Sequence, residues 1–144
     1  MPSSIALDST SVVENSAGAI VGALSGSDPE GTSISYSVAA SDDGAAFEID
    51  SSNNLKLISA SADYEAKSTY NVTVNASDSD LQTPTEFSIS VTDINEAPTW
   101  DDNVATIVVA EDADLSFDLS TISSDDDGDG LIYELIEEPD WVTL

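Results

Sequence analysis

The sequence contains no cysteine, no histidine and only two cationic side chains, Lys56 and Lys67. Without cysteine and histidine the chain cannot form a thiol nucleophile, a Ser-His-Asp triad or the usual sites for zinc and softer metals. Nucleic-acid binding depends on cations that meet phosphates, and attraction to an anionic membrane surface depends on them too. We therefore exclude nucleic acid and an anionic membrane surface as partners. The sequence also has no long apolar run, so we expect no membrane insertion.

Acidic side chains are abundant: 29 Asp and Glu give the 144 residues a formal net charge of −27. They are spread over both halves of the chain rather than gathered in one tail. Hydrophobic residues make up 40% of the sequence, which is enough for a folded core. Carboxylates dispersed over a folded chain repel one another unless cations screen them, and hard, oxygen-ligated ions such as Ca²⁺ suit this composition.

The sequence repeats itself in three short motifs, each displaced by 97 residues. Residues 12–15 recur as 109–112, residues 28–31 as 125–128, and residues 34–36 as 131–133. A constant offset indicates two copies of one structural unit. We expect a complete repeat over residues 1–97 and a truncated second repeat over residues 98–144. Half a sandwich cannot bury both faces of its strands, so we expect the second part to be the less ordered one in isolation.

The local pattern is that of β-strands, and no window holds a convincing helical stripe. Residues 70–76 and 87–91 alternate apolar and polar side chains, which predicts Val72, Val74, Phe87, Ile89 and Val91 in the core. Shorter candidate strands are 19–24, 34–38, 47–49, 55–58, 106–109 and 115–119. About seven short strands in some 95 residues predict an all-β, Greek-key immunoglobulin-like sandwich.

The acids near the predicted strand ends form short motifs: Glu14-Asn15, Asp28-Pro29-Glu30, Asp63-Tyr64-Glu65, Asp78, and residues 93–98. In an extended backbone, residues i and i+2 point to the same side, so an Asp-x-Glu pair aims two carboxylates together. Calcium takes six to eight oxygens in irregular geometry, so pairs from several loops can form one shell. A single such pair is more often a solvated turn.

Taken in order, these motifs resemble those of a cadherin repeat, closest to the bacterial cadherin-like variety. The resemblance covers residues 10–99 and includes Val-x-Glu-Asn, Asp-Pro-Glu, Asp-Tyr-Glu, Ala-Ser-Asp and Asp-x-Asn-Glu-x-Pro. Residues 100–144 resemble the start of a second cadherin-like, dystroglycan-type repeat that ends in residues 139–144. The family's linker usually reads Asp-x-Asn-Asp-Asn-x-Pro, and Glu96 and Ala97 depart from it, which leaves the number of ions open.

The resemblance implies two groups of Ca²⁺ ligands. One is an interdomain group: Glu14, Asp63, Glu65, Asp93, Asn95 and Glu96, joined by Asp125 and Asp127 of the second repeat. The other lies at the upper end of the first repeat and would serve a preceding repeat: Asp28, Glu30 and Asp78. Residues 125–130 also resemble the opening of an EF-hand loop, but Ile136 stands where that loop needs Glu. An EF-hand is therefore disfavoured against shared calcium or a solvated turn.

We thus predict a non-enzymatic, calcium-binding extracellular module that acts in adhesion or as a calcium-stiffened spacer. Its expected partners are neighbouring repeats, a homophilic or cell-surface partner, or a polysaccharide. No signal peptide is evident, so we expect a fragment of a secreted or cell-surface protein. The alternative function is a carbohydrate-binding module of a secreted polysaccharide-degrading protein, which an exposed row of aromatic residues on one sheet face would favour. The aromatic candidates are Tyr36, Trp100, Tyr133 and Trp141.

Overall fold

The chain divides into two compact units, Met1–Ile94 and Asn95–Leu144. The computed structural model describes residues 2–78, 80–101, 108 and 110–134. Strands of the first unit are β1 (Ser4–Leu7), β2 (Ser11–Val13), β3 (Ile20–Ser27), β4 (Ser35–Val38), β5 (Phe47–Ile49), β6 (Asn54–Leu57), β7 (Thr69–Ser77) and β8 (Gln82–Thr92). The described residues of the second unit include strands β9 (Thr99–Trp100) and β10 (Ser123–Ser124). Short 3-10 helices cover Gly44–Ala46 and Leu119–Thr121, and no helix among the described residues could span a membrane.

The first unit is built from two four-stranded sheets, with strand orders β1-β3-β6-β5 and β2-β8-β7-β4. Neighbouring strands are antiparallel, except that β2 runs parallel to β8. The β7–β8 hairpin is the longest pairing and extends from Thr69 opposite Ser90 to Ser77 opposite Gln82. The all-β sandwich expected from the alternating pattern is confirmed.

The core lies between the two sheets. Val72, Val74 and Ile89 are fully buried and Val91 is buried at 5% exposure, as the alternation predicts. Phe87 is only half-buried and packs against this cluster. The opposite sheet contributes Val21, Leu24, Phe47, Leu55 and Leu57. Burial of this apolar surface is the main favourable term in folding.

Over residues 2–78 and 80–94 the first unit has eight strands instead of the expected seven, because the N-terminal segment changes sheets. β1 pairs with β3, whereas β2 pairs with β8 in the other sheet. At the crossing, Asp8 Oδ1 accepts a hydrogen bond from Ala23 N at 2.6 Å. Gly22 makes this possible, since a Cβ there would lie 2.5 Å from the same carboxylate oxygen. The alternation of apolar and polar residues does not predict this change of sheet, because the change depends on a close tertiary contact.

In the second unit, the strand predicted over residues 115–119 is wrong. Leu119 begins a 3-10 helix, and Asp118 Oδ1 accepts hydrogen bonds from Ser120 N and Ser120 Oγ at 3.0 and 2.7 Å. An aspartate that binds its own neighbouring backbone competes with strand pairing in this way. The strand predicted over residues 106–109 and the motif at 139–144 lie outside the described residues, except for Val108.

Both cations of the chain are held in ion pairs on the first unit. Lys56 Nζ lies 3.1 Å from Glu48, and Lys67 Nζ contacts Asp43 and stands 5.0 Å above the ring of Tyr70. The Lys67 hydrogen bond lowers the pKa of Asp43, and a second bond from the Asn71 N–H acts in the same direction. No other Lys or Arg exists to balance the remaining acids.

Truncation of a buried side chain should destabilise the sandwich far more than truncation of its outward neighbour. We expect Ile89→Ala to lower the free energy of unfolding by about 2–5 kcal/mol, because it removes transfer free energy and leaves a cavity. The matched control Ser88→Ala changes an outward side chain and should stay within about 0.5 kcal/mol. Urea unfolding followed by circular dichroism measures both; equal losses would contradict the assigned core.

The Lys67–Asp43 pair should be visible in the titration of Asp43. Since the folded-state pKa of Asp43 lies below its ordinary value of 3.8, the pair stabilises the fold above that pH. The stabilisation is lost as the pH falls through the folded-state pKa. In Lys67→Met, NMR titration should show the Asp43 midpoint rising towards 3.8. The Asp50 midpoint, lowered mainly by hydrogen bonds from Asn54, should not move; an unchanged Asp43 midpoint would contradict the assignment.

Candidate functional site

Three carboxylates meet where β2 ends. Glu14 directly follows β2, and Asp63 and Glu65 lie in the loop between β6 and β7. Each of the three offers an oxygen, and these oxygens lie within 4.8 Å of one another. We call this group the Glu14 cluster. It consists of three residues that the resemblance to a cadherin repeat implied would gather.

Glu14 is the buried member of the cluster, with 1% of its surface exposed. Its Oε2 accepts a hydrogen bond from Tyr64 N at 2.7 Å, and its Oε1 accepts one from Ile94 N at 2.6 Å. Backbone N–H groups therefore replace part of the water that a charged carboxylate loses on burial. A carboxylate has about four lone-pair positions, so both oxygens keep capacity for a cation.

Backbone hydrogen bonds fix the segments around Glu14. Glu14 N donates to Thr92 O at 3.2 Å, and Asn15 N donates to Ala62 O at 3.0 Å. Asn15 has a φ of 57°, a left-handed conformation that asparagine tolerates better than most residues. These bonds tie the end of β2 to the end of β8 and to the loop that carries Asp63.

The loop after β6 is shaped by Asp63 itself. Asp63 Oδ1 accepts a hydrogen bond from Ala66 N at 2.9 Å, and Asp63 O accepts one from Lys67 N at the same distance. Asp93 follows β8, and carboxylate oxygens of Asp93 and Glu65 lie within 4.8 Å of each other. The first unit thus brings together four of the predicted ligands: Glu14, Asp63, Glu65 and Asp93.

A second group, the Asp28 cluster, consists of Asp28, Glu30 and Asp78, whose carboxylate oxygens also lie within 4.8 Å of one another. Asp28 Oδ1 accepts from Glu30 N at 2.7 Å. Asp78 is 8% exposed, and its Oδ1 accepts from Leu81 N at 2.8 Å. The cluster gathers the three residues predicted for the upper end.

The two clusters lie at opposite ends of the sandwich. β2 runs parallel to β8 and ends beside Thr92, whereas the antiparallel β7 ends beside Gln82, the first residue of β8. β8 has 11 residues, so its ends are about 35 Å apart. That distance is several Debye lengths at physiological ionic strength, so the clusters repel each other little.

The remaining predicted ligands lie in the second unit. Asn95 Nδ2 donates to Glu96 O, and Glu96 N donates to Asp127 Oδ2, both at 2.8 Å. Asp125 heads a turn in which its main-chain oxygen accepts from Gly128 N at 3.2 Å and its Oδ1 accepts from Asp129 N at 3.1 Å. The turn follows strand β10 rather than a helix. The role of these four residues as ligands stays a prediction.

The aromatic candidates do not form a row on a sheet face of the first unit. Tyr36 is partly buried against the core. In the second unit, the rings of Trp100 and Tyr133 lie 5.9 Å apart, and Ser123 Oγ lies 2.8 Å from the Tyr133 hydroxyl. Trp141 lies outside the described residues.

Sequence reasoning missed the two main-chain donors that hold Glu14, at Tyr64 and Ile94. Their side chains carry no signal for this role, because any residue except proline offers the same N–H group. The order of the acidic motifs gives the only indirect indication, since it predicts that the segments containing them meet.

Comparison with known proteins finds that the Cadherin domain family matches residues 8–92. Human Protocadherin Fat 1 is 33% identical over 97 residues, which cover 65% of this chain and 2% of that protein. This chain therefore spans a small part of the length of that relative.

Solved structures with a similar fold include human Protocadherin-24 EC1-2 Form II, with a TM-score of 0.57 and 26% identity over 69% of this chain and 49% of that one. A second structure of human Protocadherin-24 EC1-2 also gives a TM-score of 0.57, at 24% identity over 87% of this chain and 61% of that one. The match to the domain family covers more than half of the 144 residues. The chain belongs to the cadherin family, and residues 8–92 form its cadherin domain.

Proposed function

We propose that this chain is a calcium-binding extracellular module that acts in adhesion or as a calcium-stiffened spacer of a larger surface or secreted protein. The observation that supports it best is the Glu14 cluster, in which oxygens of three acids lie within 4.8 Å of one another. One member is a buried carboxylate held by two backbone N–H groups. The chain has only two cations, and both are in ion pairs elsewhere.

The donor set fits calcium rather than a softer metal. Both clusters offer carboxylate oxygens, and the chain has no histidine or cysteine to offer nitrogen or sulfur. Calcium accepts six to eight oxygens at irregular positions, whereas magnesium demands a tighter octahedron. Three or four carboxylates fill part of such a shell. By the family's motif, Asn95, Glu96, Asp125 and Asp127 would supply further oxygens.

Calcium would stiffen the module because it cancels the repulsion between the carboxylates within a cluster. Two carboxylates 4.8 Å apart repel by about 1 kcal/mol in water and by about 3 kcal/mol at an effective dielectric constant of 20. A bound divalent cation replaces this repulsion with attraction. The loops that carry Glu14, Asp63 and Asp93 are then held more tightly, and a joint built on them becomes stiffer.

Other parts of the proposal follow from the motifs. We assign residues 1–97 to a repeat of the bacterial cadherin-like type and residues 98–144 to the start of a dystroglycan-type repeat. Neighbouring repeats of the same parent chain are the first partners, and a homophilic or cell-surface partner is the second. The acids of the two clusters lie at strand ends of the first unit, and we propose a non-catalytic role for them.

Calcium should raise the melting temperature of the chain, because it binds the folded clusters and not the unfolded chain. For a dissociation constant on the order of 10⁻⁴ to 10⁻³ M, a tenfold excess of calcium over that constant adds about 1.4 kcal/mol. That corresponds to a rise of roughly 5–10 °C. Magnesium should do much less. Calorimetric titration and melting curves measure both effects; identical melting curves in calcium and in chelator would refute calcium binding.

Matched Glu→Gln variants locate the binding. Glu65→Gln and Glu30→Gln should each weaken calcium binding at one end by about tenfold, since ligand charge sets the affinity of such sites. Glu86→Gln removes the same charge from an outward position in the middle of β8 and should leave calcium affinity unchanged. Equal weakening by all three variants would indicate a diffuse ion atmosphere instead of two sites.

We expect Glu14 to stabilise the fold in the absence of calcium as well. Glu14→Gln turns one acceptor into a donor that faces the N–H of Tyr64 or Ile94, so we expect a loss of about 1–3 kcal/mol in chelator. Glu65→Gln is exposed, relieves repulsion, and should be neutral or slightly stabilising in chelator. Urea unfolding of the two variants distinguishes a residue that stabilises the fold from a residue that only binds calcium. Equal unfolding free energies would contradict the role assigned to Glu14.

A further inference from the structure

Aspartate is followed directly by glycine at three places in the sequence: Asp43-Gly44, Asp127-Gly128 and Asp129-Gly130. In such a dipeptide the main-chain nitrogen of the glycine can attack the side-chain carboxyl carbon of the aspartate and close a five-membered succinimide ring. Glycine favours this reaction because it has no Cβ to obstruct the approach and because its backbone is conformationally permissive. The three dipeptides are alike in sequence, so their surroundings in the structure decide which of them can react.

The Asp43-Gly44 dipeptide is protected at both the nitrogen and the carboxylate. Gly44 N donates a hydrogen bond to Ser41 O at 3.0 Å. The two carboxylate oxygens of Asp43 accept from Lys67 Nζ and from Asn71 N. Gly44 is also buried, and its surroundings are packed too closely to admit even a Cβ, so the backbone has little room to rotate. This dipeptide therefore reacts only after local unfolding.

The Asp127-Gly128 dipeptide is also held at both reacting groups. Gly128 N donates to Asp125 O at 3.2 Å, and Asp127 Oδ2 accepts from Glu96 N at 2.8 Å. Both hydrogen bonds have to break before the ring can close. A hydrogen bond of ordinary strength that must break first slows the reaction by about tenfold, which is about 1.4 kcal/mol.

The Asp129-Gly130 dipeptide lacks this protection. Within the part of the chain that the structure describes, Gly130 N donates no hydrogen bond and the carboxylate of Asp129 accepts none. Both residues are exposed and lie outside the described strands and 3-10 helices. Asp129 N donates to Asp125 Oδ1 at 3.1 Å, but this bond lies on the other side of the Asp129 Cα atom. The side chain of Asp129 and the peptide bond after it are therefore left able to rotate towards each other.

We propose that Asp129-Gly130 is a site of spontaneous isoaspartate formation. Gly130 N forms a bond to Asp129 Cγ, and the hydroxyl of the protonated side chain leaves as water with the proton of the N–H group. Water then adds to one of the two carbonyl groups of the succinimide. Addition at Cγ restores aspartate, whereas addition at the main-chain carbonyl carbon of Asp129 gives isoaspartate. One water leaves and one water adds, so no oxidant, reductant or other reactant is consumed.

Isoaspartate lengthens the main chain by one methylene group between Asp129 and Gly130. The segment that follows is attached to the strands of the second unit through Tyr133. Its hydroxyl lies 2.8 Å from Ser123 Oγ, and its ring lies 5.9 Å from the ring of Trp100. The modification therefore changes the spacing between the acidic turn and these contacts, and it accumulates with the age of the molecule.

Ageing of the whole chain tests the proposal. The chain is kept for several weeks at physiological temperature and neutral pH, once folded and once unfolded in guanidinium chloride. All samples contain chelator, so the result does not depend on the proposed calcium binding. Total isoaspartate is measured by enzymatic methylation with an isoaspartate methyltransferase. Pepsin digestion and electron-transfer fragmentation in a mass spectrometer then locate each isoaspartate in the sequence.

Gly130→Ala is the variant that should block the reaction without disturbing the fold. Gly130 is not in the left-handed region, and a Cβ at its position would meet nothing within 4 Å. The added methyl group nevertheless obstructs the approach of the nitrogen to Asp129 Cγ. The matched control Asp126→Glu changes the same turn, keeps its charge and leaves both reacting groups unaltered. Circular dichroism and melting curves show that the variants are folded.

In the folded chain we expect isoaspartate at Asp129 to form at least about tenfold faster than at Asp43 or Asp127, because of the hydrogen bonds that protect those two. In guanidinium chloride the protecting bonds are lost, so the three dipeptides should react at similar rates. Gly130→Ala should lower the isoaspartate at Asp129 by about tenfold, the factor that a barrier of about 1.4 kcal/mol imposes. Asp126→Glu should leave it unchanged.

Three results would overturn the proposal. The first is the absence of isoaspartate at Asp129 in the aged, folded chain. The second is formation at Asp43 or Asp127 at the same rate as at Asp129 in the folded chain, since hydrogen bonding would then not select the site. The third is an equal amount at Asp129 in Gly130→Ala and in the original chain.

Discussion

Repulsion between carboxylates is the constraint on which the rest of the structure depends. With 29 acids and two cations, the chain cannot neutralise its acids by ion pairs. It folds because most acids lie outside the paired strands, where water and ions can reach them. On the sheet faces of the first unit, Glu48 is paired with Lys56, and Glu86 stands among hydroxyls and amides. Like charges directly opposite each other would destabilise the sheets, and this placement avoids them.

Glu14 connects the fold with the candidate site. Its two hydrogen bonds hold the loop at Tyr64 and the chain leaving β8 at Ile94, so a single buried carboxylate joins three segments that are distant in sequence. Burial of this charge is tolerated because both oxygens have donors. The same arrangement brings Asp63 and Glu65 beside it, and Asp93 lies next to Glu65. The hydrogen bonds that hold together the end of the sandwich therefore also assemble the candidate site.

The sequence predicted the fold and the acids that cluster. It did not predict the hydrogen bonds that hold these acids in place. Alternation predicted β7, β8 and the burial of Val72 and Ile89, because period-two patterning follows directly from strand geometry. The resemblance of the motifs to a cadherin repeat implied which acids gather. The sheet switch at Asp8, the 3-10 helix at Leu119 and the fixing of Glu14 each depend on a carboxylate that accepts a hydrogen bond from a main-chain N–H group, and the sequence alone does not show which carboxylate reaches which N–H.

The positions of the two clusters have a consequence for how a string of such repeats would act. The clusters lie at opposite ends of the sandwich, so calcium bound there would fix the orientation of one repeat against the next. Weak binding by single repeats gains apparent affinity when several copies reach the same partner together, and loses it when geometry prevents this. Binding by an array of repeats would then depend on calcium through the stiffness of the joints. Adhesion and spacing are, on this view, two effects of the same clusters.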